Sequence, residues 1–222
     1  MALEDIEFVS NPEPRCPVVL LLDTSGSMSV DQRISLLNEG VATFKQQVKQ
    51  DTTASLRVEV AIITFDSSVE LVQDFVTIDN FSPPLLAAGG TTNMGGGIEL
   101  ALSLVEERKN TYKNHGIQYY QPWIFLITDG EPTDNWQNAA QQVRSVYAER
   151  KLSFFAVGVQ GANMSILSQI APPNIPPVML DGLKFQQLFC WLSDSMKRVS
   201  SSKVGSGMVS LPAINGWAQA ST

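Results

Sequence analysis

The 222 residues are 44% hydrophobic, enough for a single core in a chain of one to one and a half typical domain lengths. A formal net charge of −7 argues against nucleic acid or an anionic membrane surface as the main partner and leaves cations and basic partners open. No window approaches the ~20 apolar residues that a membrane span needs.

Residues 1–15 are acidic and then punctuated by Pro12 and Pro14, an extended lead-in without a core of its own. An acidic start with no apolar stretch behind it is unlike a secretory leader, and the resulting expectation is a cytoplasmic chain. The two cysteines, Cys16 and Cys190, read as reduced thiols in such a compartment. Residues 18–22 are five aliphatics in a row that run into Asp23, the pattern of a strand buried on both faces. Asp31 is placed to cap a helix whose inner face is Ile34, Leu37, Val41, Phe44 and Val48, at alternating spacings of three and four. A second strand covers residues 56–65. A third, residues 69–76, follows after three turn residues, too soon for anything but a hairpin, so it is antiparallel and lies at an edge.

A glycine-rich loop at residues 89–97 leads into a helix marked by Ile98, Ala101, Leu102 and Val105, and residues 109–121 read as a polar surface loop. Residues 122–130 repeat the opening signature, a buried strand ending in Asp129 and a turn. Asp134 is placed to cap the next helix, whose inner face is Ala139, Ala140, Val143 and Val146. A strand at 152–159, a short helix at 163–170, a short strand at 178–180 and a helix carrying Phe185, Leu188, Phe189, Leu192, Met196 and Val199 complete the body, residues 16–200. Residues 201–222 read as a flexible Ser/Gly-rich tail whose apolar patch around Trp217 docks on the body or on something else. Strand–helix alternation predicts a three-layer αβα, doubly wound, Rossmann-like sheet, mostly parallel, with one antiparallel edge strand.

In such a sheet the ligand crevice lies past the carboxyl ends of the strands where the winding reverses, here between the strands ending in Asp23 and Asp129. Asp23, Ser25 and Ser27 stand at i, i+2 and i+4, and a hard cation is what draws such oxygens to one point. The pattern Asp23-x-Ser25-x-Ser27 resembles the opening of the metal-ion-dependent adhesion site of von Willebrand factor type A (VWA) domains. Residues 89–98 resemble the second block of that site and Ile127-Thr128-Asp129-Gly130 the third, in the family's order, with the similarity running from about residue 17 to 199. The resemblance implies the VWA fold and a ligand set of Asp23, Ser25, Ser27, Thr92 and Asp129, with Thr91 the competing threonine by one position. An all-oxygen set suits Mg²⁺ or Mn²⁺ over zinc. The resemblance further implies an open coordination position that an acidic side chain of a partner protein fills.

Met28, Met94, Glu131 and Trp136 lie on the loops expected to rim that position, Trp136 either as a partner anchor or packed under its own helix. Many extracellular members tie their termini with a disulfide, which raises a Cys16–Cys190 pair as the alternative to free thiols. The wording of the three blocks looks most like the bacterial TerY-type branch of tellurite resistance and stress response, whose members are cytoplasmic and are linked with kinase- and phosphatase-like proteins. The competing reading is a Mg²⁺-dependent phosphoryl-transfer enzyme with Asp23 as nucleophile. Position 25, where such enzymes carry a second aspartate, is serine here, and the only histidine, His115, lies in the polar stretch. A third reading makes the metal purely structural.

Overall fold

The computed structural model describes residues 8–205, 207 and 209–220. Strand β1 (Cys16–Asp23) is buried along its whole length. It pairs in parallel with β2 (Val58–Phe65) on one side and β4 (Trp123–Thr128) on the other. With β3 (Val69–Thr77), β5 (Ser153–Gly158), β6 (Val178–Leu180) and β7 (Ala218–Ala220) the sheet order is β3-β2-β1-β4-β5-β6-β7. The winding reverses between β1 and β4, as the strand pattern predicts. β3 is the expected antiparallel edge. The chain's last described residues add a further antiparallel strand, β7, on the opposite edge.

Because side chains alternate along a strand, the five-aliphatic run of β1 feeds two cores. Val18, Leu20 and Leu22 meet α1 (Arg33–Lys49) and α6 (Phe185–Ser201) through Leu37, Val41, Phe44, Leu188 and Leu192. Val19 and Leu21 meet α3 (Met94–Asn114), α4 (Gln137–Ala148) and α5 (Met164–Ile170) through Ile98, Ala101, Ala139, Val143 and Leu167. A short helix, α2 (Thr52–Arg57), capped by the Asp51 carboxylate on the Ala54 N–H, leads into β2 and takes Leu56 out of the expected strand. Helices α1 and α6 cross closely because position 40 is glycine: a β-carbon there would stand 2.2 Å from the Phe189 ring.

Three local expectations are corrected. Asp31 does not cap α1; it lies exposed in a left-handed conformation (φ 50°) inside the 3₁₀ turn Gly26–Gln32. Asp134 does not cap α4; its two oxygens accept from Gly95 N–H and Gly96 N–H at 3.1 and 2.9 Å, at the start of α3. The stretch 109–121 is not all loop, since α3 continues to Asn114 with Arg108, Lys109 and Tyr112 buried. Arg108 and Tyr112 turn inward because Glu59 of β2 is buried and accepts from Arg15 and Arg108 at 2.8–2.9 Å and from the Tyr112 hydroxyl, while Lys109 pairs with Glu106 at 2.6 Å.

The stretch expected to be a flexible tail also differs. Helices α1 and α6 cover the β1 side of their face, and beyond them residues 209–218 lie across β4–β6 where a doubly wound sheet would place a helix. Trp217 is buried beside Trp191 (ring centroids 5.2 Å apart), and the Trp191 indole N–H donates to Pro212 O at 2.8 Å. An irregular strap fills this space less well than a helix, and an apolar cavity of about 220 Å³ remains between Phe155, Trp191, Leu211 and Trp217. At the other end of the chain Phe8 is buried under the guanidinium groups of Arg15 and Arg108, while residues 1–7 lie outside the described residues.

Cys16 and Cys190 are both free. Burial, with the charge of Glu59 behind it, pushes the Cys16 thiol up to about 12, and burial also raises Cys190, which is only half-buried. Because the thiolate is the reactive form, iodoacetamide at pH 8 is expected to label Cys190 slowly and Cys16 only after unfolding. Mass spectrometry of the alkylated peptides checks this, and equal labelling of both in the folded protein would refute it.

Candidate metal centre

Three loops converge past the ends of β1 and β4. The first is stiffened by its own aspartate: Asp23 Oδ1 accepts from Ser25 N–H at 2.8 Å, which turns the chain so that Ser25 and Ser27 point back. The Ser25 and Ser27 hydroxyls are 3.0 Å apart, and Ser27 donates to Asp129 Oδ1 at 2.6 Å, across a hundred residues of sequence. Thr128, at the end of β4, donates to Asp23 Oδ2 at 2.5 Å. The loops are also joined backbone to backbone, Gly26 N–H to Gly90 O, Gly89 N–H to Thr24 O and Thr133 N–H to Thr92 O.

The glycine-rich loop supplies Thr92 and not Thr91. The Thr91 hydroxyl is exposed and engaged with Ser67 Oγ. Thr92 is buried, and among the described residues its hydroxyl has no protein partner. A β-carbon at Gly130 would stand 3.3 Å from Thr92 Oγ1 and 3.4 Å from Asp23 Oδ2, so both oxygens border the space that glycine leaves open. Two carboxylates, three hydroxyls, one of them without a protein partner, and a cradle that a methyl group would fill all suit a small hard cation. Among the described residues no group of three or more His, Cys, Asp or Glu is placed to hold a metal ion. Burial pushes the Asp23 carboxyl above its ordinary value. The hydrogen bonds from Ser25 and Thr128 pull it back, and the charge of Asp129 adds to the rise.

The structure therefore brings Asp23, Ser25, Ser27, Thr92 and Asp129 together. It separates the expected rim. Met28 and Met94 are fully buried, each turned into a core by the helical turn it starts on, and neither borders the opening. Trp136 is half-buried against the α3–α4 core. Glu131 is exposed, with Asn163 Nδ2 at 3.2 Å from its carboxylate. The site also holds a residue that pattern reading missed. Arg33, at the first position of α1, is buried, and its Nη1 donates to Asp129 Oδ2 at 2.5 Å. In sequence it resembles any charged residue opening an amphipathic helix, and only the left-handed turn before it aims it inward.

The same fold recurs among known proteins. Calcium-activated chloride channel regulator 1 of Macaca mulatta is 31% identical over 122 residues, 51% of this chain and 12% of that protein. The uncharacterized protein YfbK of Escherichia coli is 26% identical over 167 residues, 71% of this chain. The chain spans only 12% and 27% of the lengths of these two relatives. Among solved structures, the pilus adhesin SpaC of Lactobacillus rhamnosus GG superposes with a TM-score of 0.66 at 15% identity, over 83% of this chain and 31% of its own. Proximal thread matrix protein 1 of the mussel byssus gives 0.55 at 20% identity, over 82% and 48%. The profile of the von Willebrand factor type A domain matches residues 18–181, and the chain belongs to that family.

Proposed function

We propose that this protein is a metal-dependent protein-binding module. In this reading Asp23, Ser25, Ser27, Thr92 and Asp129 hold Mg²⁺ or Mn²⁺, and a carboxylate of a partner protein completes the coordination. The observation that carries it is the meeting of two buried carboxylates and three hydroxyls from three separate loops. Bound there, a divalent cation would relieve the repulsion between Asp23 and Asp129 and offer an open position to an anion. The chain's own part is to hold the donors still, through Thr128 and the backbone bonds between loops.

Against the phosphoryl-transfer reading stands Asp23 itself. It is fully buried with both oxygens already accepting hydrogen bonds, a poor nucleophile. His115 follows the last residue of α3, which begins at the site and runs 21 residues, so about 30 Å separates it from the crevice. One solved mussel byssus protein of this fold has a zinc-occupied MIDAS motif, so zinc belongs among the cations tested. The finer reading, a TerY-type stress protein of the cytoplasm with kinase- or phosphatase-like partners, rests on the wording of the motif blocks alone. Among the described residues no helix is long and apolar enough to cross a membrane.

Calorimetry with Mg²⁺, Mn²⁺ and Zn²⁺ on the wild type and Asp129→Ala tests the metal. Affinity capture from source-cell lysate with Mg²⁺ or EDTA tests the partner. The expected result is cation binding and a partner retained only by the wild type with Mg²⁺. The same captured proteins in the wild-type, EDTA and Asp129→Ala lanes would end the adhesion reading.

A further inference from the structure

Arg33 sits where nearly every local preference opposes it. A cation at the first position of α1 faces the positive end of the helix dipole. The two residues before it, Asp31 (φ 50°) and Gln32 (φ 61°), are both left-handed without being glycine. Its side chain is 10% exposed, and its Nε is buried with no partner. Its one close carboxylate is Asp129, since Asp31 is 4.0 Å away and 66% exposed. Backbone strain in the two residues before it and desolvation of its own side chain, with the head group ending on a metal-site carboxylate, point to a function at that site.

We propose that Arg33 is a built-in cation of the crevice, which shares Asp129 with the bound ion, holds cation affinity down and makes the loaded site net positive. The proposal rests on the metal-binding reading above. Asp129 divides its oxygens, Oδ1 toward Ser27 and Oδ2 toward Arg33, so one carboxylate serves both charges. Counting the buried groups, with Asp31 exposed and 4.0 Å from Arg33, Asp23 and Asp129 cancel a divalent ion and Arg33 leaves a surplus of one positive charge for an acidic side chain to meet.

Two effects of removing Arg33 oppose each other, and their sizes decide the sign. Losing the hydrogen bond that orients Asp129 weakens cation binding about fivefold. Losing the repulsion between a unit charge and a divalent ion a few ångström away strengthens it about 20-fold even at the dielectric of water, and more in a buried crevice. The expected net change is at least about fourfold tighter binding.

The test is Mn²⁺ calorimetry and thermal melts, with and without Mn²⁺, on the wild type and on Arg33→Gln, Arg33→Met and Arg33→Lys. The neutral variants are expected to bind Mn²⁺ at least about fourfold tighter, to melt lower without Mn²⁺, and to gain more from it than the wild type. Arg33→Lys, which keeps the charge, is expected to stay near wild type. Neutral variants that fold only when Mn²⁺ is present also support the proposal. Wild-type binding with unchanged or weaker affinity in the folded neutral variants overturns the proposal alone, and so do variants that stay unfolded in saturating Mn²⁺. Absence of Mn²⁺ binding from wild type and neutral variants alike overturns the metal reading together with it.

Discussion

Glu59→Ala is expected to destabilise the protein by about 3–5 kcal/mol, the cost of stripping one partner from a buried ion cluster. Glu59 is fully buried at the end of the sheet remote from the metal loops. Its Oε1 accepts from Arg15 Nε at 2.8 Å and Arg108 Nη2 at 2.9 Å, and its Oε2 from Arg108 Nε at 2.9 Å and the Tyr112 hydroxyl. Without the carboxylate two guanidinium groups would remain beside the Phe8 ring, each about 5 Å from its centre, with their mutual repulsion uncompensated. Arg108 and Tyr112 lie one helical turn apart on α3, which is why a single strand residue reaches both. The loss is a large part of a typical stability of about 5–15 kcal/mol. In a domain of this size it lowers the melting temperature by about 10 °C. Replacing Arg15, Glu59 and Arg108 together by methionine is expected to cost far less, because no charge is then left alone. Urea melts of both variants read the difference. A Glu59→Ala loss below 1 kcal/mol, or a triple variant weaker than the single one, would refute the account.

The second large effect concerns Trp217. Trp217→Ala removes a side chain that is 4% exposed, and such truncations cost about 3–5 kcal/mol when the site cannot relax. Here it can relax. The strap holds by its apolar side chains, by Trp191 to Pro212 O, by Asp181 N–H to Trp217 O at 2.8 Å and by a three-residue strand. The measured loss therefore stops at the free energy of docking the strap, after which the strap leaves. Expected signs are a reduced stability in urea and new proteolytic cuts between residues 202 and 210. Trp217→Phe separates packing from polarity. The Trp217 Nε1 is buried without a partner, a burden of about 1–3 kcal/mol that phenylalanine lacks. Phenylalanine is therefore expected to match the wild type in both assays. If it behaves like alanine, the indole N–H makes a contact that this account omits.

Much of the fold was open to reading because it rests on runs and repeats. Five aliphatics before Asp23 and an apolar run closing on Thr128 and Asp129 mark the central strands, and three residues between strands force the hairpin. The metal-site oxygens were readable for a similar reason, since Asp23, Ser25 and Ser27 are neighbours in sequence and Thr92 and Asp129 sit in distinctive loops. What escaped depends on where a side chain turns. Met28 and Met94 follow polar loop residues, yet the first helical turn swings each inward. Asp31 and Asp134 both precede helices, but a cap needs the following backbone N–H groups to face it, and those facing Asp134 belong to α3. Glu59 and Arg33 look like solvent-facing charges until their partners, far away in sequence, are in place. Of the last residues, the apolar patch around Trp217 docks on the body, one of the two expected outcomes, while the serines and glycines before it hide that the stretch is a packed strap.

The central position of β1 has a kinetic consequence. Val18 pairs with Val60 on one side and with Trp123 on the other, so the strand is made early and completed late. Until β4 has emerged from the ribosome, one edge of a five-aliphatic strand stays open, and parallel pairing over such distances closes slowly. A continuous apolar segment with an unpaired edge is a template for association between nascent chains. Slow translation between β3 and β4 would prolong that interval, and chaperone dependence during synthesis would therefore be set by the sheet's strand order more than by the stability of the finished molecule.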